Sequence, residues 1–152
     1  LRRTKGRMLG DHQFVQGKIA ESIIQLEQFR LMVLKTAWII DEIEAGRMPH
    51  GAARNHIGMC KVAMAQVYHD IVGKALELHG SLGISLELPL SSWYAGHMAL
   101  AFADGPTDVH KSQIARAHLK KAKPAEGLFP SEHIPTRRAA AIARYPNYQD
   151  AE

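Results

Sequence analysis

The amino-acid sequence predicts an all-α protein, an up-down four-helix bundle followed by an extended C-terminal tail. Three observations carry this. Apolar residues recur at sevenfold spacing over two long proline-free stretches. Glycine and proline fall between the periodic segments rather than within them. Strand-like alternation is confined to Ile84-Ser85-Leu86-Glu87-Leu88, which is too isolated to build a sheet.

The first helix is marked by Ile19, Leu26, Val33 and Ile40, flanked by a second series of Ile24, Leu31 and Trp38. It is expected from about Phe14 to Glu44, ending at Gly46 with Pro49 close behind, roughly 45 Å at about 1.5 Å per residue. The second helix carries Ile57, Met64, Ile71 and Leu78, with Cys60 and Val67 between them, and its periodicity stops at Gly80 and Gly83. Two long helices joined through Arg47-Met48-Pro49-His50 should fold back as an antiparallel hairpin. The spacing places Trp38, Met64 and Cys60 in the core. A third helix is expected over Leu90–Phe102, with Ser91 or Ser92 as its cap. After Asp104-Gly105-Pro106-Thr107 a fourth runs from Pro106 to about Ala122. From Lys123 onward Pro124, Pro130, Pro135 and Pro146 leave only 136–144 as a short helix. The expected organisation is therefore a bundle domain, 1–122, and a tail, 123–152.

With 152 residues, 46% hydrophobic and 22% charged, the chain has the balance of one globular domain with a single compact core. A chain of this size buries roughly 70% of its unfolded surface and needs no disulfide. Cys60, the single cysteine, has no internal partner, which fits a reducing compartment. No apolar run approaches the ~18 residues of a membrane span, and residues 1–6 lack the apolar segment of a signal peptide. Beginning without methionine, the sequence reads as a piece of a longer polypeptide. A net charge of +4 and a pI near 9.3 favour anionic partners, phosphate-bearing cofactors and nucleic acid alike, and the nine histidines add charge in mild acid.

Strong generic motifs are missing: there is no P-loop, HExxH or CxxC. His110 and His118 stand eight apart on one helix, too far to share a metal, and no metal is expected. The cluster Lys111, Arg116, Lys120, Lys121 and Lys123 lacks interleaved aromatics and reads as a solvated face, so nucleic acid is not the expected partner. Asp104 before Gly105-Pro106 reads by itself as a turn residue.

Taken together, Leu76-Glu77-Leu78-His79-Gly80-Ser81-Leu82-Gly83, then Leu88-Pro89-Leu90, then Phe102-Ala103-Asp104-Gly105-Pro106 resembles the C-terminal helical domain of acyl-CoA dehydrogenases. Those proteins carry Gln-x-x-Gly-Gly-x-Gly after the second long helix and an acidic residue followed by glycine before the last. Upstream, Arg2-Arg3-Thr4-Lys5-Gly6 is similar to the family's Arg-x-x-Phe-Gly, with Gln13 following. The likeness covers about Arg2 to Ala122.

The resemblance implies FAD as cofactor and an acyl-CoA thioester as substrate. It further implies an electron-transfer flavoprotein or similar acceptor, and a homo-dimer or homo-tetramer packed through the bundle. It makes Asp104 the counterpart of the catalytic glutamate that removes the α-proton, and Gly105 the glycine lining the thioester. Ala-Asp-Gly-Pro followed by Asp108-Val109-His110 looks most like the subgroup whose animal members carry aspartate here. For FAD it implies Arg2, Thr4, Gln13, Glu77, Gly80, Ser81 and Asp108, with Arg2 and Thr4 reaching the diphosphate held by a neighbouring subunit. Glu77 stands where the family has glutamine, Ser81 where it has its second glycine, Pro106 where it has threonine, and Lys5 where it has an aromatic residue. The family's other two domains are absent from these residues, so the chain alone is expected to be inactive. A bacterial cytoplasm, or a mitochondrial matrix in a eukaryote, is the expected setting. Two other classes stay open on the residues alone: a self-associating bundle without cofactor, and a basic nucleic-acid-binding module.

Overall fold

The computed structural model describes residues 2–123 and 133–146. A short antiparallel hairpin opens the chain, β1 (Arg3–Thr4) pairing with β2 (Arg7–Met8) in the register Arg3 to Met8 and Thr4 to Arg7. Lys5 (φ +48°) and Gly6 (φ +77°) form its two-residue turn. Positive φ at both turn positions matches the twist of the paired strands. A 3₁₀ turn at Leu9–Asp11 leads into α1 (Gln13–Glu44). Next come α2 (Arg54–His79), the single turn α3 (Ser81–Ile84), α4 (Leu90–Phe102), α5 (Thr107–Leu119) and α6 (Ile134–Arg144). The four long helices lie where the sequence puts them, except that α5 ends at Leu119, short of the expected Ala122. The chain divides into two compact units, 1–117 and 118–152. None of the described helices is long and apolar enough to cross a membrane.

Helix α1 is 32 residues long, about 48 Å at 1.5 Å per residue. Gly46, at φ +71°, ends it. Two hydrogen bonds from the Arg47 guanidinium to Glu42, 2.6 and 2.7 Å, close the turn toward α2. The expected apolar stripe of α1 does not face α2. Ile19, Leu26, Val33, Ile40 and Ile24 are exposed, as are Leu31 (64%) and Trp38 (52%). The inward series is instead Val15, Ser22, Phe29, Thr36 and Ile43, joined by Ile39. That seam is partly polar and is fastened by side-chain bonds: Thr36 to Cys60 (3.2 Å), Gln25 to Asp70 (3.2 Å), and Lys74 to Gln25 and Glu21 (3.2 Å each). Trp38 is thus a surface residue, not a core one, and Cys60 is half-buried as a partner of Thr36. The physical reason is that three sevenfold series coexist on one helix, and spacing alone does not decide which one meets α2.

The single compact core is likewise replaced by a thin one. Among the described residues the buried hydrophobic side chains are Val15, Ile39, Ala53 and Val72. The second helix also begins earlier than its first apolar marker, at Arg54.

Helix α4 packs on α2 because Gly73 leaves room for the Tyr94 ring, whose Cε2 lies 3.3 Å from where a Cβ would stand. Neither Ser91 nor Ser92 caps α4. Pro89 holds the cap position, and the two hydroxyls donate to Ser85 O and Pro89 O, at 3.4 and 2.8 Å. The stretch 84–88 is the end of α3 and a loop, with Leu86 fully exposed. In the second unit α6 starts two residues before the expected 136, with Pro135 in its first turn, where the missing N–H costs nothing. The expectations for Pro124 and Pro130 fall outside the described residues.

Candidate functional site

The family-matched residues gather at two places, at opposite ends of α2. The first is the α4–α5 turn. Asp104 adopts φ +54° and Gly105 φ +103°, both left-handed. Asp is one of the few L-residues that tolerates this region, because its short side chain bonds locally. Three side chains brace the turn. His110 Nε2 donates to the Asp104 carbonyl (3.2 Å), Lys61 Nζ from α2 donates to Leu100 O (2.5 Å) and Gly105 O (3.5 Å), and Thr107 Oγ1 donates to Ala101 O (3.1 Å). The His110 ring is fitted between two glycines: a Cβ on Gly105 would come within 3.3 Å of Nε2, and one on Gly58 within 3.5 Å of Nδ1. The Asp104 side chain itself is exposed. A strained backbone held by its surroundings is characteristic of functional turns.

The second place is the C-terminal end of α2. The hairpin presents Arg2, whose Nη1 donates to Leu78 O (3.0 Å) and whose guanidinium lies 3.1–3.3 Å from where a Gly80 Cβ would stand. Gly80, at φ +61° and ψ −135°, takes a conformation that an L-residue rarely adopts. Glu77 is ion-paired with Lys18 of α1. Thr4 lies on the hairpin and is partly exposed; Gln13 at the start of α1 and Ser81 at the start of α3 are exposed. The hairpin strand that bears Thr4 meets the cap residue of α1 through His12 Nε2 and Thr4 O (3.4 Å), and the following 3₁₀ turn is tied to α1 by Gln16 Nε2 donating to Gly10 O (2.9 Å).

From Lys61 to Glu77 is sixteen residues of one helix, about 24 Å. Asp104 and Gly105 therefore stand apart from Arg2, Glu77 and Gly80. Asp108, grouped with the latter by resemblance, lies on α5 beside the Asp104 turn. Its side chain is 93% exposed and 3.5 Å from Lys111 Nζ.

Sequence reasoning missed a third cluster. His69 Nδ1 lies 3.0 Å from Asp70 Oδ1, and Tyr94 Oη lies 2.8 Å from His69 Nε2, with the His97 ring centroid 4.6 Å from that of His69. With its proton on Nδ1, His69 donates to Asp70 and accepts from the Tyr94 hydroxyl, linking α2 to α4. His69 and His97 border an open groove of about 490 Å³ between α2, α4 and α5. Only the His69-Asp70 adjacency was visible in sequence. The hydrogen bond from His69, with the Gln66 and Gln25 amides, holds the Asp70 carboxyl below its ordinary value. A depressed carboxyl stabilises the fold above its unfolded pKa and loses that contribution as pH falls through its folded value, here below about pH 4. Asp70→Asn is expected to be less stable at neutral pH and to show a shallower acid limb, read from thermal melts across the acid range. An unchanged acid limb would sever Asp70 from this network.

Among the described residues α2 thus carries a braced acidic turn toward one end and, at the other, a glycine kink beside the Arg2 guanidinium. The family model for the acyl-CoA dehydrogenase C-terminal domain matches residues 1–119. FadE2 of Mycobacterium tuberculosis, described as a probable acyl-CoA dehydrogenase, is 38% identical over 120 residues, 78% of this chain and 28% of that protein. Acyl-CoA dehydrogenase family member 11 of Rattus norvegicus is 39% identical over 115 residues, 76% of this chain and 14% of that protein. A solved structure described as an acyl-CoA dehydrogenase from Mycobacterium abscessus superposes with a TM-score of 0.71 at 31% identity, covering 79% of this chain and 28% of that one. The chain belongs to the acyl-CoA dehydrogenase family and has the all-α fold of its C-terminal domain. It spans between a seventh and under a third of the length of these relatives.

Proposed function

We propose that this chain is the C-terminal domain of an FAD-dependent acyl-CoA dehydrogenase that converts an acyl-CoA thioester to the 2,3-enoyl-CoA, with Asp104 as the base. The observation that carries the reading is the Asp104-Gly105 turn: an acid at φ +54° held by His110 and Lys61 in the position matching the family's catalytic glutamate. Asp104 takes the α-proton onto its carboxylate, and the Gly105 backbone, free of a side chain, lets the thioester approach. Aspartate is one methylene shorter than glutamate, roughly 1.5 Å of reach, a gap met either by a closer backbone or by a differently seated substrate. Asp104 is exposed in this chain, so its shielding from water falls to the rest of the enzyme.

The cationic corner fits a dinucleotide. Arg2 offers a planar fork suited to a diphosphate, Thr4 and Gln13 add donors, and Gly80 provides a surface with no side chain. FAD, when bound, would supply the acceptor for the β-hydrogen as hydride. Because Arg2 and Asp104 sit at opposite ends of α2, each chain serves two flavins, its own at Asp104 and a neighbouring subunit's at Arg2. An electron-transfer flavoprotein or similar acceptor then reoxidises the enzyme, in a bacterial cytoplasm or mitochondrial matrix. Residues 1–122 form the bundle domain and 123–152 a tail, and the chain alone is inactive. The reaction test is mass spectrometry of acyl-CoA thioesters incubated with the full-length protein and an artificial electron acceptor. A product lighter by two hydrogens supports the reading, and unchanged thioesters across the whole panel refute it.

The exposed apolar face of α1 is where subunits pack. Leu31 and Trp38 expose more than half their surface, and burying such a row is what homo-oligomers achieve. Leu31→Asp with Trp38→Ala is expected to convert a dimer or tetramer to smaller species in analytical ultracentrifugation. An unchanged sedimentation coefficient would place the interface elsewhere.

A further inference from the structure

The corner at the end of α2 contains an apparent contradiction. Glu77 puts a carboxylate in the last helical turn, where the backbone carbonyls already present partial negative charge, and beside the surface that would receive an anionic diphosphate. The family's glutamine at this position carries no charge. The structure resolves the conflict through a residue far away in sequence. Lys18, one turn into α1, crosses to α2 and pairs its Nζ with Glu77 Oε2. Its side chain is 32% exposed against 63% for Glu77, so the cation is the better-seated partner. Arg2 takes the adjoining carbonyl of Leu78. Glu77 is thereby neutralised and turned into a fixed acceptor, while the guanidinium stays at Gly80.

We infer that Lys18 is a positioning residue for the cofactor: it compensates the Glu77 charge, so that the Arg2–Gly80 surface stays net positive toward a dinucleotide diphosphate. This rests on the reading of that surface as an FAD site. A neighbouring pair provides an internal control. Lys74 of α2 bonds Glu21 of α1 at 3.2 Å, about one turn along the same seam. If Lys18 only clasped α1 to α2, the two pairs would be equivalent.

The test uses the full-length protein stripped of FAD and titrated with FAD, following quenching of flavin fluorescence, with thermal melts of each apoprotein alongside. Lys18→Met leaves the Glu77 charge bare and is expected to weaken FAD binding about five- to tenfold. The double variant Lys18→Met with Glu77→Gln should return the dissociation constant to within about twofold of wild type, since removing the charge removes the need for the lysine. Glu21→Gln should leave FAD affinity unchanged. Lys18→Met binding FAD as tightly as wild type, or a double variant as weak as the single one, overturns the role of Lys18. A folded wild-type protein that binds no FAD defeats instead the functional reading on which it rests.

Discussion

Asp104→Asn in the full-length protein is expected to slow flavin reduction by acyl-CoA about 10²- to 10⁴-fold, the contribution of a positioned base, while leaving FAD bound. Asparagine has the same shape and tolerates the same left-handed backbone. The φ of +54° and the bond from His110 to the carbonyl of residue 104 should both survive. The substitution therefore removes the proton acceptor without disturbing the turn. The Arg2–Gly80 corner lies at the far end of α2 and is untouched. Asp104→Glu restores a carboxylate with about 1.5 Å more reach and should keep measurable activity. Stopped-flow absorbance at the flavin band reads both variants. Reduction of the Asn variant at the wild-type rate would show that Asp104 only shapes the turn.

The largest expected effect on stability comes from Gly83→Ala. Gly83 is buried, and an added Cβ would stand 2.7 Å from Leu76 O, 3.1 Å from the His79 Cβ and 3.2 Å from Leu76 Cα. These are mostly backbone atoms of α2, which cannot turn aside as a flexible side chain would. Either α3 lifts from α2 or the last turns of α2 shift, at a cost of about 1–3 kcal/mol for overpacking. The thermal midpoint should fall by several degrees. Because α3 follows directly from Gly80, FAD binding should weaken in parallel. An unchanged midpoint would mean that α3 does not sit on α2 as described. Gly96→Ala, with no atom within 4 Å of the new Cβ, is the matched helical control.

The helices were legible because local rules determine them. Leu90–Phe102 is bounded by Pro89 and by the Asp104-Gly105 break, and α4 has those limits. α1 runs from Gln13, one residue before its expected start, to Glu44. The orientation of α1 was not legible, because the seam of Val15, Ser22, Phe29, Thr36 and Ile43 is partly polar, and the polar residues that fasten it, Thr36 and the neighbouring Gln25, acquire meaning only through Cys60, Asp70 and Lys74 on α2. The hairpin at 3–8 was missed for another reason: two-residue strands are too short to show alternation, leaving Lys5-Gly6 as the only signal. At the candidate site Asp104 was visible through its company in sequence. The bracing of its turn by His110 and Lys61 was not, since the spacing of His110 from His118 speaks only against a shared metal and Lys61 lies more than forty residues upstream. Lys18 and Glu77, 59 residues apart, likewise share no local pattern. Local periodicity thus reports elements, whereas charge compensation and turn bracing depend on contacts that only the folded chain brings about.

If this bundle serves flavin-linked oxidation of an acyl-CoA, the visible absorption spectrum of the full-length protein shows it. It would be recorded anaerobically before and after addition of a panel of acyl-CoA thioesters. Flavin absorbance that bleaches with at least one thioester is the expected result. A folded, colourless protein that FAD does not reconstitute would overturn the proposed function.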